Sequence, residues 1–279
     1  MIDGTTTSNG EADGLDAELA ALLRRMASLH RPEEATGPAG PRYHPADEAR
    51  RLRAVLRAVD GALPPAAAAR IWHEIIACQL RPGESLPIAI LTGGPGDPCD
   101  TAALARDHFG VRTTILTADS PHHALRLLDQ GDAALAVLPM PAQERLWCIE
   151  LAGAFADGPY GVIGRLPFVG APLDEEALVV GPQVPAESGD DMALVAIEAG
   201  GDISRGTLRE LLDAAGLEAR WLSSRHRGGG GASDHLYEIA APAGEARHRA
   251  GEALASVRAG LLQVLALGGY PRPVRTAGP

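Results

Sequence analysis

Arginine, glutamate and histidine are the side chains in this sequence best suited to hold or move charge. All 25 basic residues are arginine, so the chain contains no Gly-Lys-Ser/Thr phosphate loop. Guanidinium forks match carboxylates in a planar, two-bond geometry. Arg25, Arg42, Arg51, Arg70 and Arg81 form a candidate anion-binding set, the plainer reading being arginines on solvated helix faces. Gly93-Gly94-Pro95-Gly96 stands where a strand gives way to a helix, the position of an anion-binding loop. Without a G-x-G-x-x-G pattern it reads as a plain turn. His122-His123 is a poor metal pair, because neighbouring helical residues face different ways. His73, three and four residues from Ile76 and Ala77, reads as a helix-packing residue. No Ser, His and Asp arrangement stands out, and neither a cofactor nor a metal is expected.

The elements that must position these groups are built from few aromatic residues. Of 279 residues 46% are hydrophobic and 4% aromatic, so the interior must consist of Ala, Leu and Val. A formal charge of -11 argues against a nucleic-acid partner. Cys78, Cys99 and Cys148 lack C-x-x-C spacing and form an odd set, which points to a reducing compartment. A polar, acidic start and the lack of a long apolar run predict a cytoplasmic chain without a membrane anchor.

Apolar spacing predicts helices over 15–29, from 45 to 59 and from 65 to the Pro82-Gly83 break. From residue 86 the order becomes β-α-β-α-β (86–91, 100–109, 113–116, 120–130, 133–138), implying a parallel sheet. Residues 140–190 are punctuated by Pro and Gly, with candidate strands at 161–166 and 177–180. From 193 the order is β-α-β-β-α-β, with strands at 193–198, 218–223, 235–240 and 263–267. Helices are expected at 205–215 and 245–262, and Gly228 to Gly231 reads as a hairpin turn. This order is ferredoxin-like.

Several segments resemble bacterial chorismate mutase/prephenate dehydratase proteins. Leu267-Gly268-Gly269-Tyr270-Pro271-Arg272 is similar to the run that closes the family's ACT domain. Arg205-Gly206-Thr207-Leu208 and Ser223-Ser224-Arg225-His226 resemble its two ligand-flanking stretches. Ile88-Ala89-Ile90-Leu91 with Gly94-Pro95-Gly96, His108-Phe109-Gly110, and Gly131-Asp132-Ala133 through Val137-Leu138-Pro139 resemble the dehydratase domain. Pro45-Ala46-Asp47-Glu48-Ala49 with Leu52-Arg53, and Arg70-Ile71-Trp72-His73-Glu74-Ile75-Ile76, resemble the all-helical chorismate mutases. Where the dehydratases carry threonine-arginine-phenylalanine, this chain has Glu176-Ala177-Leu178, and about half the usual dehydratase length remains.

The resemblance implies an α+β, multi-module chain: a helical mutase-like module (12–84), a shortened α/β dehydratase-like lobe (85–185) and an ACT-like domain (190–273). It implies a chorismate mutase that rearranges chorismate to prephenate in phenylalanine and tyrosine biosynthesis. This pericyclic step needs a dianion clamp and stabilisation of the ether oxygen. Transferred to this sequence, Arg25 and Arg51 clamp the carboxylates, Glu48 addresses the hydroxyl or ether side, and Gln79 is the replacement donor. Gly206, Thr207, Leu208, Ser224 and Arg225 would bind an aromatic amino-acid effector, and the helical module implies a homodimer. The alternative is a non-catalytic, aromatic-amino-acid-binding regulatory protein.

Overall fold

The computed structural model describes residues 5–28, 43–78, 86–92, 99–142, 146–170, 176–182, 187–227, 231–257 and 260–276. Helices α1 (Thr5–Ser28), α2 (Pro45–Val59) and α3 (Pro65–Ala77) come first. They are followed by β1 (Ile88–Leu91), α4 (Thr101–Phe109), β2 (Ile115–Ala118), α5 (Pro121–Gln130) and β3 (Leu135–Pro139). Two short helices, α6 (Trp147–Glu150) and α7 (Ala152–Asp157), lead into β4 (Tyr160–Leu166) and β5 (Ala177–Pro182). The last part comprises β6 (Asp191–Ala199), α8 (Arg205–Ala214), β7 (Ala219–His226), β8 (Ser233–Ile239), α9 (Ala243–Ala253) and β9 (Leu261–Pro271).

All of these strands join one sheet in the order β2-β1-β3-β5-β4-β9-β6-β8-β7. The β1 strand runs parallel to β2 and β3, as the alternating β-α order requires, while β5 is antiparallel to both β3 and β4. From β6 onward the pairs are antiparallel. Their spatial order β9-β6-β8-β7 is that of a ferredoxin-like sheet.

The two halves meet where β4 runs parallel to β9, at Val162 opposite Gly268. Gly268 has φ +142°, and a Cβ there would sit 2.1 Å from the Val162 carbonyl oxygen. Only glycine allows this approach. The Leu267–Pro271 run therefore lies inside β9, where it seams the sheet, and not beyond a strand ending at 267. The helix expected to reach Leu262 instead ends at Ala253. Before β9 the chain turns at Gly260, whose carbonyl accepts the Gly200 N–H at 2.6 Å and where a Cβ would meet Ile203 and Asp202.

One face of the sheet carries a continuous core that crosses the seam, with Leu138, Val162, Leu194 and Tyr270 packed on Trp147 and Phe155. The other face is divided. Val137, Val179 and Phe109 form one cluster, and Val195, Ile197, Leu208 and Leu212 form another. Alternation along each strand explains the split: Leu135 and Val137 face one side, Ala136 and Leu138 the other. Truncating a core leucine such as Leu194 or Leu208 costs about 2–5 kcal/mol.

Helices α2 and α3 are docked onto this body. Ala49, Leu52 and Ala69 pack with Phe168 and Val169, just past β4. Arg53 then ties α2 to the ferredoxin-like half, donating to the carbonyls of Asp190 (3.0 Å) and Arg272 (2.9 Å) and to Ser188 Oγ (3.1 Å). By contrast, Leu15, Leu19, Leu22 and Leu23 of α1 lie exposed within the single chain. Among the described residues, no helix is long and apolar enough to cross a membrane.

Candidate functional site

Small residues bring three helices close together. On α3 the buried positions are Ala68, Ala69 and His73, and on α2 they are Ala46, Ala49 and Leu52. Glu74 fastens α3 to the end of α4 by accepting the Val111 N–H at 2.8 Å. Glu48 of α2, His73 of α3 and His108 of α4 meet in the interior as a result. Glu48 Oε1 lies 3.3 Å from Nε2 of His73 and 3.3 Å from Nε2 of His108. The two rings are tilted by 60°, with centroids 4.2 Å apart. Tyr43, just before α2, places its hydroxyl 2.8 Å from His108 Nε2.

These groups have few partners for their burial. His73 Nε2 and His108 Nδ1 are buried without a hydrogen bond. Burial drives the His108 pKa down to about 3, His73 adding to the effect and Glu48 opposing it, so His108 is neutral near pH 7. For Glu48, burial pushes the pKa up, but the two imidazoles and Arg51 outweigh it and hold the carboxyl below its ordinary range. Burial and the Glu48 charge push the Tyr43 hydroxyl well above its ordinary value. The cluster thus presents a carboxylate beside a neutral imidazole.

An open cleft of about 700 Å³ lies against His73 and His108, lined also by Arg70, Leu104, Asp107 and Phe168. On the other side, a cavity of about 10 Å³, enough for one water, touches Tyr43, Glu48, His108 and Arg165. Arg165 belongs to a second polar group. It donates to Glu176 (2.5 Å) and to Glu238. Glu238 also receives Arg220 (2.9 Å) and the Tyr270 hydroxyl, and Glu176 pairs with Arg275. Burial would raise the Glu238 pKa, but Arg165, Tyr270 and Arg220 prevail and lower it.

The structure brings together only some of the residues singled out in the sequence. Arg25 lies exposed on α1. Arg51 is exposed on α2 with its guanidinium 5.2 Å from the Trp72 ring centre. Arg70 pairs with Asp107 at the surface. Arg42, Gln79, Arg81, the 93–96 loop and residues 228–230 lie outside the described residues. Gly206 and Thr207 open α8, capped by Ser204, whose hydroxyl accepts the Thr207 N–H, while Leu208 is fully buried in the core. Ser224 stands opposite His235 on β8. Arg225, next along β7, faces the other side of the sheet, towards Glu150 and Asp234. Glu176, at the place of the threonine-arginine-phenylalanine run, is a buried partner of Arg165.

Sequence reasoning recognised Glu48 but not its two partners. His73 was a packing residue by its spacing, and His108 was only part of a turn motif. Their shared signal was faint: both sit on helix faces with small or apolar neighbours, where a polar ring needs a partner.

No protein-family model and no curated protein sequence matches the chain. Solved structures similar to it include a prephenate dehydratase from Streptococcus mutans, with 15% identity, a TM-score of 0.49 and coverage of 68% of this chain and 100% of that one. A prephenate dehydratase in complex with L-Phe from Arthrobacter aurescens has 16% identity, a TM-score of 0.44 and coverage of 68% and 93%. A protein described as GqqA, a novel type of quorum quenching acylase, has 17% identity, a TM-score of 0.47 and coverage of 66% and 94%.

Proposed function

We propose that this chain is an enzyme of aromatic amino-acid biosynthesis that binds chorismate or prephenate in the cleft beside α3 and α4, with Glu48, His73 and His108 as its reactive group. The observation that carries this reading is the meeting of a carboxylate with two incompletely paired imidazoles that line an open cleft, the carboxylate itself lying behind them against the small cavity. The substrate class comes from the resemblance of Leu267–Arg272, Ile88–Leu91 and Pro45–Ala49 to the branch-point family. Chorismate and prephenate both carry a ring hydroxyl, which such a cluster can hydrogen-bond or relieve of its proton.

The test is to incubate purified protein with chorismate and, separately, with prephenate, following substrate absorbance and phenylpyruvate formation. Consumption of either substrate that falls at least tenfold in His108→Ala supports the reading. Failure to consume either one overturns it.

A second reading, chorismate mutase, is favoured by Arg51, whose charge acts on Glu48. In that reading Arg25 and Gln79 complete the site, with a second copy of the chain contributing. Prephenate as the product, lost in Arg51→Ala, separates it from the first.

The regulatory half of the proposal is binding of an aromatic amino acid by the ferredoxin-like half, acting as an ACT-type domain in a homodimer. It is supported by His235 and Tyr237, whose buried polar atoms lack partners, and by Arg205 stacked 4.6 Å from the Trp221 ring centre. Phenylalanine or tyrosine raising the melting temperature would support it.

A further inference from the structure

One ligand-type atom from each of Glu48, His73 and His108 lies within 4.8 Å of the other two. Ligands held at about 2.0–2.2 Å by one ion stand roughly 2.9–3.5 Å from one another, and the carboxylate oxygen is 3.3 Å from each imidazole nitrogen. This spacing fits a shared ion as well as a direct contact: His73 Nε2 faces the carboxylate at ion-pair distance without the alignment of a full hydrogen bond. That nitrogen is more than nine-tenths buried. Leaving it unpaired costs about 1–3 kcal/mol unless something else binds it.

We infer that Glu48, His73 and His108 form a binding site for one divalent first-row transition ion, such as Zn²⁺, Co²⁺ or Fe²⁺. Two imidazoles and one carboxylate are the donor set these ions prefer, whereas Mg²⁺ and Ca²⁺ take oxygen ligands. Three protein ligands leave room for exchangeable ligands. The cleft lined by His73 and His108 is where water or a carboxylate-bearing molecule would complete the coordination. A metal site departs from the sequence expectation because its ligands come from three helices, with no short spacing to announce it. The Tyr43 hydroxyl occupies His108 Nε2 in the ion-free arrangement, so an ion must displace it. The rival occupant is a single water in the small cavity beside Glu48 and His108. The inference shares these residues with the catalytic reading above but does not depend on its substrate.

The experiment uses the full chain stripped by chelator and titrated with Zn²⁺ by calorimetry, and with Co²⁺ by visible absorption. The expected result is one equivalent taken up, the d–d bands of a low-coordinate Co²⁺, and a higher melting temperature. Affinity should fall at least tenfold in Glu48→Gln and in His73→Ala, each checked for folding by circular dichroism. It should be unchanged in His122→Ala and equal or tighter in Tyr43→Phe. Absence of stoichiometric uptake, or uptake unaffected by both ligand substitutions, overturns the inference. Substrate turnover without metal uptake would sink the metal site and leave the catalytic reading standing. Metal uptake without turnover would do the reverse.

Discussion

The Glu48–His73–His108 cluster and the Arg165–Glu176–Glu238 network meet at the same small cavity, the network fully buried and the cluster with its carboxylate partly exposed, and they treat charge in opposite ways. In the network each buried charge meets an opposite one: Arg165 with two carboxylates, Glu238 with Arg220, Glu176 with Arg275. It links β4, the residue before β5, β7, β8 and β9 with Arg275 beyond, so it staples the two halves of the sheet. The cluster has one carboxylate facing two imidazoles, with His73 Nε2 and His108 Nδ1 outside any hydrogen bond. Arg165 Nε and Glu176 Oε1 of the network also lack one, so the two regions differ in charge pairing and not in hydrogen-bond satisfaction. A paired buried network is what structure needs. An underpaired one is where the ligand and the reaction proposed above are placed.

The contrast predicts large stability losses in the network and small ones in the cluster. Arg165→Leu leaves Glu176 and Glu238 buried without their shared cation and should cost about 3–5 kcal/mol in urea unfolding. The network also sets a pH dependence. Glu238 has a depressed folded pKa, so its contribution is present above the unfolded carboxyl pKa and is lost as pH falls through the folded one. Glu238→Gln should therefore be less stable than wild type near neutrality and lose less on acidification. Equal acid slopes in the two proteins would show that Glu238 does not gain from its partners.

Gly268→Ala tests the seam itself. The new methyl meets the Val162 backbone, and a loss of about 1–3 kcal/mol is expected, read from the chemical midpoint. An unchanged midpoint would mean that β4 and β9 do not pair in solution. In the cluster, His73→Leu replaces an underpaired polar ring with an apolar side chain and should change stability by less than about 1 kcal/mol. A loss as large as that of Arg165→Leu would erase the distinction between the two regions. Arg51→Ala should have the smallest effect on stability, about 0.5–1 kcal/mol from its contact with Trp72. A larger effect on chorismate turnover would favour the mutase reading.

Much of this architecture was legible from local pattern. The β-α-β-α-β run and the β-α-β-β-α-β run follow from apolar strands alternating with capped helices, such as Asp100 before α4 and Ser120 before α5. The end of α9 was not legible, because alanine-rich sequence continues past Ala253, where the chain tightens into a 3-10 turn over Leu254–Val257 with no Gly or Pro to announce it. The seam was also hidden, since Gly268 is recognisable as a motif glycine but its partner Val162 lies over a hundred residues earlier. The site was half visible. Glu48 stood out, whereas His73 and His108 gain meaning only when three helices bring them together.

The most direct test of a functional cluster is Glu48→Gln, an isosteric change, measured in parallel for thermal unfolding and for consumption of chorismate and prephenate. Because the Glu48 carboxyl is itself held below its ordinary range, the expected result near neutral pH is a melting temperature lowered by less than in Glu238→Gln, with consumption reduced at least tenfold. Undiminished consumption would contradict a reactive role for this group.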